Sequence, residues 1–430
     1  MRPLLLLLYY SLIVTNVVSS LSIIMPATTE HLFRVRTITA FLHLTPDDFE
    51  SSSSSSLELK IQQCSNFLSS FQTKLTTAGY EVQTVRIATN PFGQYLVHQD
   101  SFETRLERLD ALLSKHDIHF CSLGPATSLD ELEHCPTIVA KSPRLSCSAT
   151  IQANDVEMAR ATADCIIQIS KLNAAPHVDG GLGNFRFCAA SCCQTANIPF
   201  FPAAVALSDQ ERAFALGLEN GPLAYELLAE SGSIAKIPTT FLQGMTAALK
   251  PLEELCTSVA ATVDDDNNWK YLGIDTSLNP ALDRGEHGSV AAAVETLEEV
   301  VTFGGPGTVA AAAAVTQALQ ALPGITKTGY CGFMLPVCED LRLADLAPQL
   351  RISNLLSISA VCGVGVDTVP IAGDVSASLL TSLLLDVANL ANRWNKPLSC
   401  RVFPVPGTKA GETTQFDSPY LCNSQVFSIE

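Results

Sequence analysis

Two short apolar stretches near the carboxyl end of the chain carry most of the fold prediction: Gly332-Phe333-Met334-Leu335-Pro336-Val337-Cys338-Glu339-Asp340 and Ser359-Ala360-Val361-Cys362-Gly363-Val364-Gly365-Val366-Asp367. Each is too short to span a membrane as a helix, and each ends in a carboxylate after glycine or proline. Continuous apolar runs of this length are typical of strands that are buried on both faces of a sheet. The pattern predicts an α/β protein in which acidic residues follow the strands, at the end of the sheet that faces a ligand.

The rest of the chain alternates apolar runs with amphipathic ones, which predicts parallel strands joined by helical crossovers. The predicted strands are Phe33–Phe41, Glu81–Ala88, Ile118–Leu123, Leu145–Thr150, Phe185–Ser191, Phe214–Leu218, Tyr271–Thr276, Gly332–Val337, Ser357–Val364 and Ser399–Val405. The predicted helices are Leu57–Thr77, Phe102–His116, Asp155–Lys171, Ser289–Val300, Thr308–Leu322 with Thr308 as its cap, and Val375–Trp394 with Asp374 as its cap.

The composition restricts the class of partner. Of the 430 residues, 47% are hydrophobic and only 16% are charged, which favours a sheet with both faces buried. The 26 basic and 43 acidic residues give a formal net charge of −17. That charge repels a phosphate backbone, and no cluster of Lys and Arg offsets it. We therefore expect no nucleic-acid partner, and the acids at the strand ends described below favour a small-molecule ligand.

Residues 1–24 form a hydrophobic N-terminal segment, in which Arg2 precedes an apolar run and two serines. This order is typical of a secretory signal peptide. The remaining chain argues for the cytoplasm, because it has no Asn-x-Ser/Thr acceptor and places several of its 14 cysteines inside apolar runs, as buried free thiols are. We expect a cytoplasmic protein, or a secreted one if the segment is a functional signal peptide, and no membrane span in the mature protein.

Carboxylates and glycines recur where three predicted strands end. They are Asp275, Glu339, Asp340 and Asp367, with Gly363 and Gly365. Acids at the carboxyl ends of buried strands tend to face the crevice where α/β proteins bind ligands. Brought together, they can bind a divalent cation, exchange protons or hydrogen-bond a polar substrate. The alternative is that each caps a helix or pairs with an arginine.

Two further motifs have a functional and a structural interpretation. Gly304-Gly305-Pro306-Gly307-Thr308 precedes an Ala-rich helix and would suit an anion at the helix N-terminus, or would serve only as a tight turn and cap. Cys192-Cys193 follows a predicted strand and would supply a nucleophile, or would be buried and inert. Neither His-x-x-x-His nor Cys-x-x-Cys occurs, so the sequence gives no support to a zinc site.

At these residues the sequence resembles the uncharacterised UPF0210 family, also called DUF711. The matching elements are Arg36-Thr37-Ile38-Thr39, Ser146-Cys147-Ser148-Ala149-Thr150, Gly273-Ile274-Asp275-Thr276-Ser277-Leu278-Asn279-Pro280, Gly307-Thr308, Pro336-Val337-Cys338-Glu339-Asp340, Val361-Cys362-Gly363-Val364-Gly365-Val366-Asp367 and Arg401-Val402-Phe403-Pro404-Val405-Pro406-Gly407-Thr408-Lys409-Ala410-Gly411. They extend from Phe33 to Phe416, so the N-terminal segment lies outside the resemblance.

The resemblance implies a ten-stranded α/β barrel of two parallel halves with crossover helices, related to the pyruvate formate-lyase-like barrels. It implies a single such domain over residues 30–425. The acidic stretch Asp264-Asp265-Asp266-Asn267-Asn268, where the sequence departs from the family, predicts a flexible linker near residues 261–269. Relatives of that fold use a glycyl radical near the C-terminus. Here Arg401-Val402 is not followed by the radical motif, so no glycyl radical is expected. We also expect a homodimer.

Two functions follow from these observations. The first is an enzyme that acts on a small polar metabolite without a glycyl radical, with a divalent cation as an open question. Its predicted catalytic residues are Cys147, Asp275, Glu339, Asp340, Cys362 and Asp367, and its predicted ligand-binding residues are Ser277, Gly304, Gly305, Gly307, Thr308, Gly363 and Gly365. The alternative is a barrel that binds a metabolite or supports assembly without chemistry, because no complete nucleophile–base set is evident.

Overall fold

The computed structural model describes residues 32–50, 54–97, 101–207, 212–261 and 268–429. The hydrophobic N-terminal segment, residues 1–24, and residues 262–267 of the predicted linker lie outside these ranges. Within them, no helix combines the length and the apolar character that crossing a membrane requires. All 14 cysteines of the chain are free thiols, and 12 of them are buried.

The described residues form one mixed sheet of nine strands, β1 to β9. In chain order these are Arg34–Leu42, Val82–Thr89, Phe120–Ala126, Leu145–Thr150, Phe187–Ser191, Ala213–Glu219, Lys270–Asp275, Gly365–Ala372 and Leu398–Val405. Their order across the sheet is β7-β6-β1-β2-β3-β4-β5-β9-β8. Strands β1 to β5 are parallel to one another, and the pairs β6/β7 and β8/β9 flank them in the opposite direction. The sheet therefore has a central parallel half between two antiparallel flanks.

The helices of the described residues are α1 to α12. They are Ser54–Thr77, Phe102–Lys115, Leu129–Leu132, Cys135–Lys141, Val156–Ser170, Gly221–Ser231, Ile237–Ala261, Val290–Val294, Thr308–Gln320, Leu341–Leu346, Ile352–Ser359 and Ala377–Trp394. The main hydrophobic core lies between these helices and one face of the sheet. It includes Val35 and Ile38 of β1, packed in the same cluster as Leu57 and Ile61 of α1. Continuous burial of the strands explains why they appear in the sequence as apolar runs.

The predicted α/β class is confirmed, and several boundaries agree closely. The strand predicted at Leu145–Thr150 has those bounds, and Asp155 caps α5 by accepting a hydrogen bond from the backbone N–H of Met158. Other caps differ from the prediction. Gly307 and not Thr308 is the N-cap of α9, and Ser376 and not Asp374 is the N-cap of α12.

Three element predictions are wrong. The helix predicted over Ser289–Val300 ends at Val294. The strand predicted over Ser357–Val364 is occupied by the end of helix α11 and a turn, and strand β8 begins at Gly365. Ile352, Leu355 and Ile358 of α11 are buried at three-residue spacing, a helical period that the short apolar run conceals. Gly332–Val337 contains only isolated bridges and no regular strand.

The connection from β5 to β6 lies against the inner face of the sheet, which is the face opposite the main core. We call residues 192–207 the inner segment. Hydrogen bonds hold it to three strands: Thr39 Oγ1 donates to Pro199 O at 2.7 Å, Ser122 Oγ donates to Ala204 O at 2.8 Å, and Ala206 N donates to Thr89 O at 2.9 Å. The nine strands do not close on themselves through regular pairing, and β7 and β8 are the two edges.

The edge strands are contacted by an extended segment, residues 326–336, which we call the edge segment. It forms isolated parallel bridges with both sides, namely Lys327 with Ile274, Phe333 with Leu278, and Pro336 with Asp367. It also contacts the inner segment, since Gly329 N donates to Ala196 O at 2.7 Å. Both edges of the sheet are thus linked through one stretch of chain.

A single glycine tests the packing of the inner segment on the sheet. A Cβ atom at Gly217 of β6 would lie 2.5 Å from the Phe200 ring, so Gly217→Ala is expected to destabilise the protein by about 1–3 kcal/mol through overpacking. Denaturant unfolding measures this. The double variant with Phe200→Leu, which has a smaller side chain, is expected to recover part of the loss. A Gly217→Ala protein as stable as the parent would mean that Phe200 does not pack there.

Candidate functional site

A chain of alternating charges crosses the inner face of the sheet. Its members, in spatial order, are Arg34, Glu219, Arg36, Glu339, Arg401 and Asp367, and we call them the ion-pair chain. They come from β1, the end of β6, the 3-10 helix Val337–Glu339, β9 and β8. Three guanidinium groups and three carboxylates alternate, so the ion-pair chain is electrically neutral.

The inner end of the ion-pair chain is centred on Arg401. Its Nε and Nη2 donate to the two oxygens of Asp367 at 2.6 and 3.0 Å, and Nη2 also donates to Glu339 Oε1 at 3.0 Å. Nη1 donates to the carbonyl of Phe185 at 3.1 Å. Burial alone would lower the pKa of Arg401, but the charges of Asp367 and then Glu339 more than offset it and raise that pKa. Every nitrogen of this buried guanidinium therefore has an acceptor.

At the outer end of the ion-pair chain, the position of Arg36 depends on an irregularity in strand β1. Arg36 Nη2 donates to Glu339 Oε2 at 2.6 Å and Nη1 to Glu219 Oε2 at 3.2 Å, and Glu219 also pairs with Arg34. Strand pairing with β6 shifts register between Val35 and Thr37. In a regular strand successive side chains alternate between faces. The bulge is the reason that Arg36 joins the inner face directly before Thr37, whose hydroxyl contacts that of Thr39.

Arg86 of β2 lies beside the ion-pair chain and is only 5% exposed. Its Nε donates to Thr84 Oγ1 at 2.9 Å, and its guanidinium stacks 4.8 Å from the Phe201 ring centroid and 5.2 Å from that of Phe120. Among the described residues, no group accepts a hydrogen bond from its two Nη atoms and no carboxylate forms a salt bridge with it. Burial, and then the charge of Arg36, lower the pKa of Arg86 to about 9. The nearby charge of Glu339 opposes this fall in the pKa. The group is thus charged at neutral pH, and no carboxylate among the described residues pairs with it directly.

Two adjoining cavities open along this arrangement. The inner one has a volume of about 40 Å³ and the outer one about 280 Å³. Both are lined by Arg36, Arg86, Phe185, Phe201 and Glu339. We call the two cavities together the arginine cleft. Its ionic lining is balanced in number, with four arginines (Arg34, Arg36, Arg86 and Arg401) and four acids (Glu219, Asp283, Glu339 and Asp367). Asp283 is 56% exposed and pairs with Arg34, so the less exposed part of the lining has one more positive than negative charge, whereas the whole chain carries −17.

The structure brings Glu339 and Asp367 together through Arg401, as described above. Asp275 lies apart from them and lines neither cavity. Its carboxylate accepts hydrogen bonds from Ser277 N and Oγ at 3.0 and 2.6 Å, from Tyr330 N at 2.8 Å and from Cys331 N at 3.1 Å. Burial raises the pKa of Asp275, and these donors oppose that rise. Together with Ser277 it fastens β7 to the edge segment.

Asp340 is also engaged in local structure. It caps α10 by accepting from Arg342 N and Leu343 N, and it accepts from Ser289 Oγ and from Val290 N at 2.8 Å. Burial raises its pKa. Asp340 thus joins the N-termini of α8 and α10, and it lines neither cavity of the arginine cleft.

The two predicted thiols lie within packed interiors. Cys147 and Cys362 are fully buried, and burial raises the pKa of both. Cys147 packs near Cys135, and Cys362 lies against the carbonyl of Phe333 at 3.8 Å. Of the described cysteines, Cys188 is the one that lines the inner cavity, and burial raises its pKa well above the usual value. The neutral thiol is therefore the stable form at all of these positions.

The predicted glycine-rich sites are close-packed turns. In Gly304–Thr308, the hydroxyl of Thr308 accepts from Gly304 N at 3.0 Å, and a Cβ at Gly305 would meet Thr302 O at 3.1 Å. Gly307 has φ +91°, with Glu299 O only 2.2 Å from where a Cβ would be. Gly363 and Gly365 lie close to the backbone of Tyr330 and Ser399, respectively. None of the five lines the arginine cleft, so the turn interpretation accounts for their geometry.

Sequence reasoning overlooked the arginines. Arg34 and Arg36 are separated by one residue in an apolar strand, and Arg86 and Arg401 each interrupt another apolar strand. Charged residues are almost never fully buried unless paired. An arginine inside a strand that is otherwise apolar on both faces was the available signal. Across the described residues, no group of three or more His, Cys, Asp or Glu side chains is arranged to hold a metal ion.

Comparison with known proteins gives a consistent result. Residues 27–418 match the model of the family described as "Uncharacterised ACR (DUF711)". The chain is 27% identical over 354 residues to a UPF0210 protein of Pyrobaculum arsenaticum, covering 78% of this chain and 76% of that protein. It is 27% identical over 368 residues to one of Pyrobaculum islandicum, covering 80% and 78%. A UPF0210 protein of Syntrophobacter fumaroxidans is 35% identical over 148 residues, covering 33% of this chain and 32% of that protein.

Removing the central guanidinium tests the ion-pair chain. Arg401→Met leaves Glu339 and Asp367 buried without their shared partner, so the free energy of unfolding is expected to fall by about 3–5 kcal/mol. The matched control is Arg284→Met, which removes an exposed pair with Asp283 and is expected to change stability by less than about 0.5 kcal/mol. Urea unfolding of both variants is the measurement. Equal small losses would show that Arg401 is not needed to neutralise the two acids.

Proposed function

Because this chain belongs to the DUF711 family, whose description assigns no activity, we propose its function from the cleft: it binds a small anionic metabolite, and Arg86 is the group that anchors the anion. The observation that carries this proposal is the pairing pattern. Arg34, Arg36 and Arg401 each have carboxylate partners, whereas the Nη atoms of Arg86 meet no acceptor among the described residues. An uncompensated buried charge is costly unless a ligand of opposite charge pairs with it.

The surroundings of Arg86 favour an anion over a cation. Glu339 and Asp367, the two acids of the inner cavity, already accept from Arg36 and Arg401. A divalent cation would displace those arginines and would then be repelled by them. A carboxylate or phosphate would instead receive two parallel N–H bonds from the guanidinium of Arg86, the geometry in which arginine binds such groups most strongly.

We also propose that the sheet closes into a barrel of ten members, with the edge segment in the tenth position. This is the architecture that the resemblance to pyruvate formate-lyase-like barrels implies. Two observations support it: the edge segment bridges both β7 and β8 in the parallel direction, and the inner segment contacts β1, β2, β3 and the edge segment at once. One segment can contact this many strands of a sheet if the sheet curves around that segment. The arginine cleft would then be the mouth of the barrel.

The second candidate is an enzyme that acts on the bound anion, which the acids at the strand ends also favour. The observation in its favour is that Glu339 lines both cavities and its two oxygens point to different arginines. A carboxylate so placed could exchange a proton with a ligand held on Arg86. The observation against it is that the thiol of Cys188 and the hydroxyl of Tyr330 in the inner cavity have raised pKa values because they are buried.

Consumption of ligand separates the two candidates. An enzyme would convert a metabolite that copurifies or is added from a metabolite library, and Glu339→Gln would abolish conversion while Arg86-dependent binding persists. NMR of the ligand pool over time is the measurement. Binding that raises the melting temperature without any loss of ligand would favour the non-catalytic function.

Arg86→Met is the most direct test of the anchor. The variant is expected to lose binding of inorganic phosphate and acetate at low ionic strength, measured by calorimetry, and to keep or exceed the parent's stability, since it removes an unneutralised buried charge. Arg186→Met is the matched control. Arg186 is also a buried arginine, but it donates to Pro143 O and His177 O, and it lines neither cavity.

The control is therefore expected to lose stability and to keep anion binding. Binding of both anions by Arg86→Met with unchanged affinity would refute the anchor. Failure of the parent protein to bind either anion would refute the cleft as an anion site.

A further inference from the structure

The outer cavity combines its charges with an aromatic wall. Four rings line this cavity together with Arg86: Phe120, Phe185, Phe201 and Tyr420. Phe120 and Phe201 stack with centroids 4.9 Å apart, and Phe185 and Tyr420 stack at 5.9 Å. Phe185 meets Phe201 edge-to-face at 5.4 Å. The rings contact one another in a row that begins at the guanidinium of Arg86 and ends at the exposed ring of Tyr420.

Tyr420 is the outermost of the four rings. It is 46% exposed and belongs to the C-terminal stretch, which passes over the cavity and is held by Cys422 N donating to Cys338 O at 2.7 Å. Its neighbour Pro419 lines the same cavity. An exposed aromatic ring beside a charged cavity is available to cover a flat group on a bound ligand.

The volumes of the two cavities and the charges that line them restrict the class of ligand that can bind. The inner cavity, at about 40 Å³, admits only water-sized groups, whereas the outer cavity, at about 280 Å³, exceeds the roughly 150 Å³ in which a benzene ring is bound. Asp283 at the outer cavity is 56% exposed and pairs with Arg34, and the ion-pair chain is neutral, so Arg86 is the one cleft arginine without a carboxylate partner among the described residues. A monoanion balances it, whereas a dianion would add a second negative charge beside Glu339 and Glu219. A zwitterion would bring its own cation next to Arg36 and Arg86.

We infer that the ligand is a monocarboxylate with a flat apolar body, its carboxylate on Arg86 and its body on the ring surface of Phe201 and Tyr420. This inference rests on the proposed anion-binding function and specifies the class of ligand. Arg36, Glu219 and Glu339, which line the same cavity, are already paired with one another and leave Arg86 as the group that receives the carboxylate. One ligand thus satisfies the free guanidinium and covers the aromatic surface at the same time.

Calorimetry with a set of probes at low ionic strength tests the inference. Phenylacetate is expected to bind at least about tenfold more tightly than acetate, because of the ring surface, and more tightly than its non-planar analogue cyclohexylacetate. Phenylsuccinate, a dianion, and phenylalanine, a zwitterion, are each expected to bind at least about tenfold more weakly than phenylacetate. Equal affinity for phenylacetate and acetate, with both lost in Arg86→Met, would overturn the inference and leave the anion site standing.

Two variants keep the test independent of folding. Tyr420→Ala removes a half-exposed ring and is expected to reduce phenylacetate affinity about three- to tenfold with acetate affinity unchanged. Tyr225→Ala is the matched control, since Tyr225 stacks on His287 outside the arginine cleft. It is expected to leave both affinities unchanged. A preference of the parent for phenylsuccinate or phenylalanine would also overturn the inference, and loss of all binding to the parent would refute the proposed function as well.

Discussion

The arrangement of the inner face depends on the alternation of buried carboxylates and guanidiniums around Arg401. Each of these groups would be costly alone in a dry interior, since a buried charge requires a partner of opposite sign and acceptors for its remaining protons. Arg401 meets both requirements through Asp367, Glu339 and the Phe185 carbonyl. Because its partners come from β8 and from the turn after the edge segment, the ion pairs also hold together parts of the chain that regular strand pairing leaves at the sheet edges.

The neutrality of the ion-pair chain explains why Arg86 is available to bind an anion. If the neighbouring arginines were also unpaired, Arg86 would be one of several possible anion-binding groups. If the cleft were rich in acids, a carboxylate of the protein would pair with it. Here the charges of the ion-pair chain cancel, so the arginine cleft retains one guanidinium, that of Arg86, with no carboxylate partner among the described residues, although the whole chain is acidic. The aromatic contacts of Arg86 with Phe120 and Phe201 offset part of its desolvation and fix the plane of the guanidinium. The result is a preorganised site that a single anionic group completes.

Sequence reasoning predicted the α/β class, most strand positions and the family, because buried strands carry a strong apolar signal and the motifs are ordered along the chain. It predicted Glu339 and Asp367 as site residues, and both line the inner cavity. It grouped Asp275 and Asp340 with them, since acids that cap or fasten local structure look the same in one dimension as acids that face a cleft. Arg36 lies on the inner face because the strand pairing of β1 shifts register. Strict alternation of side chains along the strand does not predict that shift. The partners of Arg401 are distant in sequence, so local pattern alone could not assign them.

The central claim is that Arg86 holds a ligand carboxylate against an aromatic wall. A crystal structure grown with 4-bromophenylacetate tests it most directly, because the anomalous signal of bromine locates the body and the electron density locates the carboxylate. The account predicts both carboxylate oxygens within hydrogen-bond distance of the Arg86 Nη atoms and the bromine in the outer cavity beside Tyr420. An Arg86 side chain bonded to a protein acceptor, or a bromine peak confined to other sites, would contradict it.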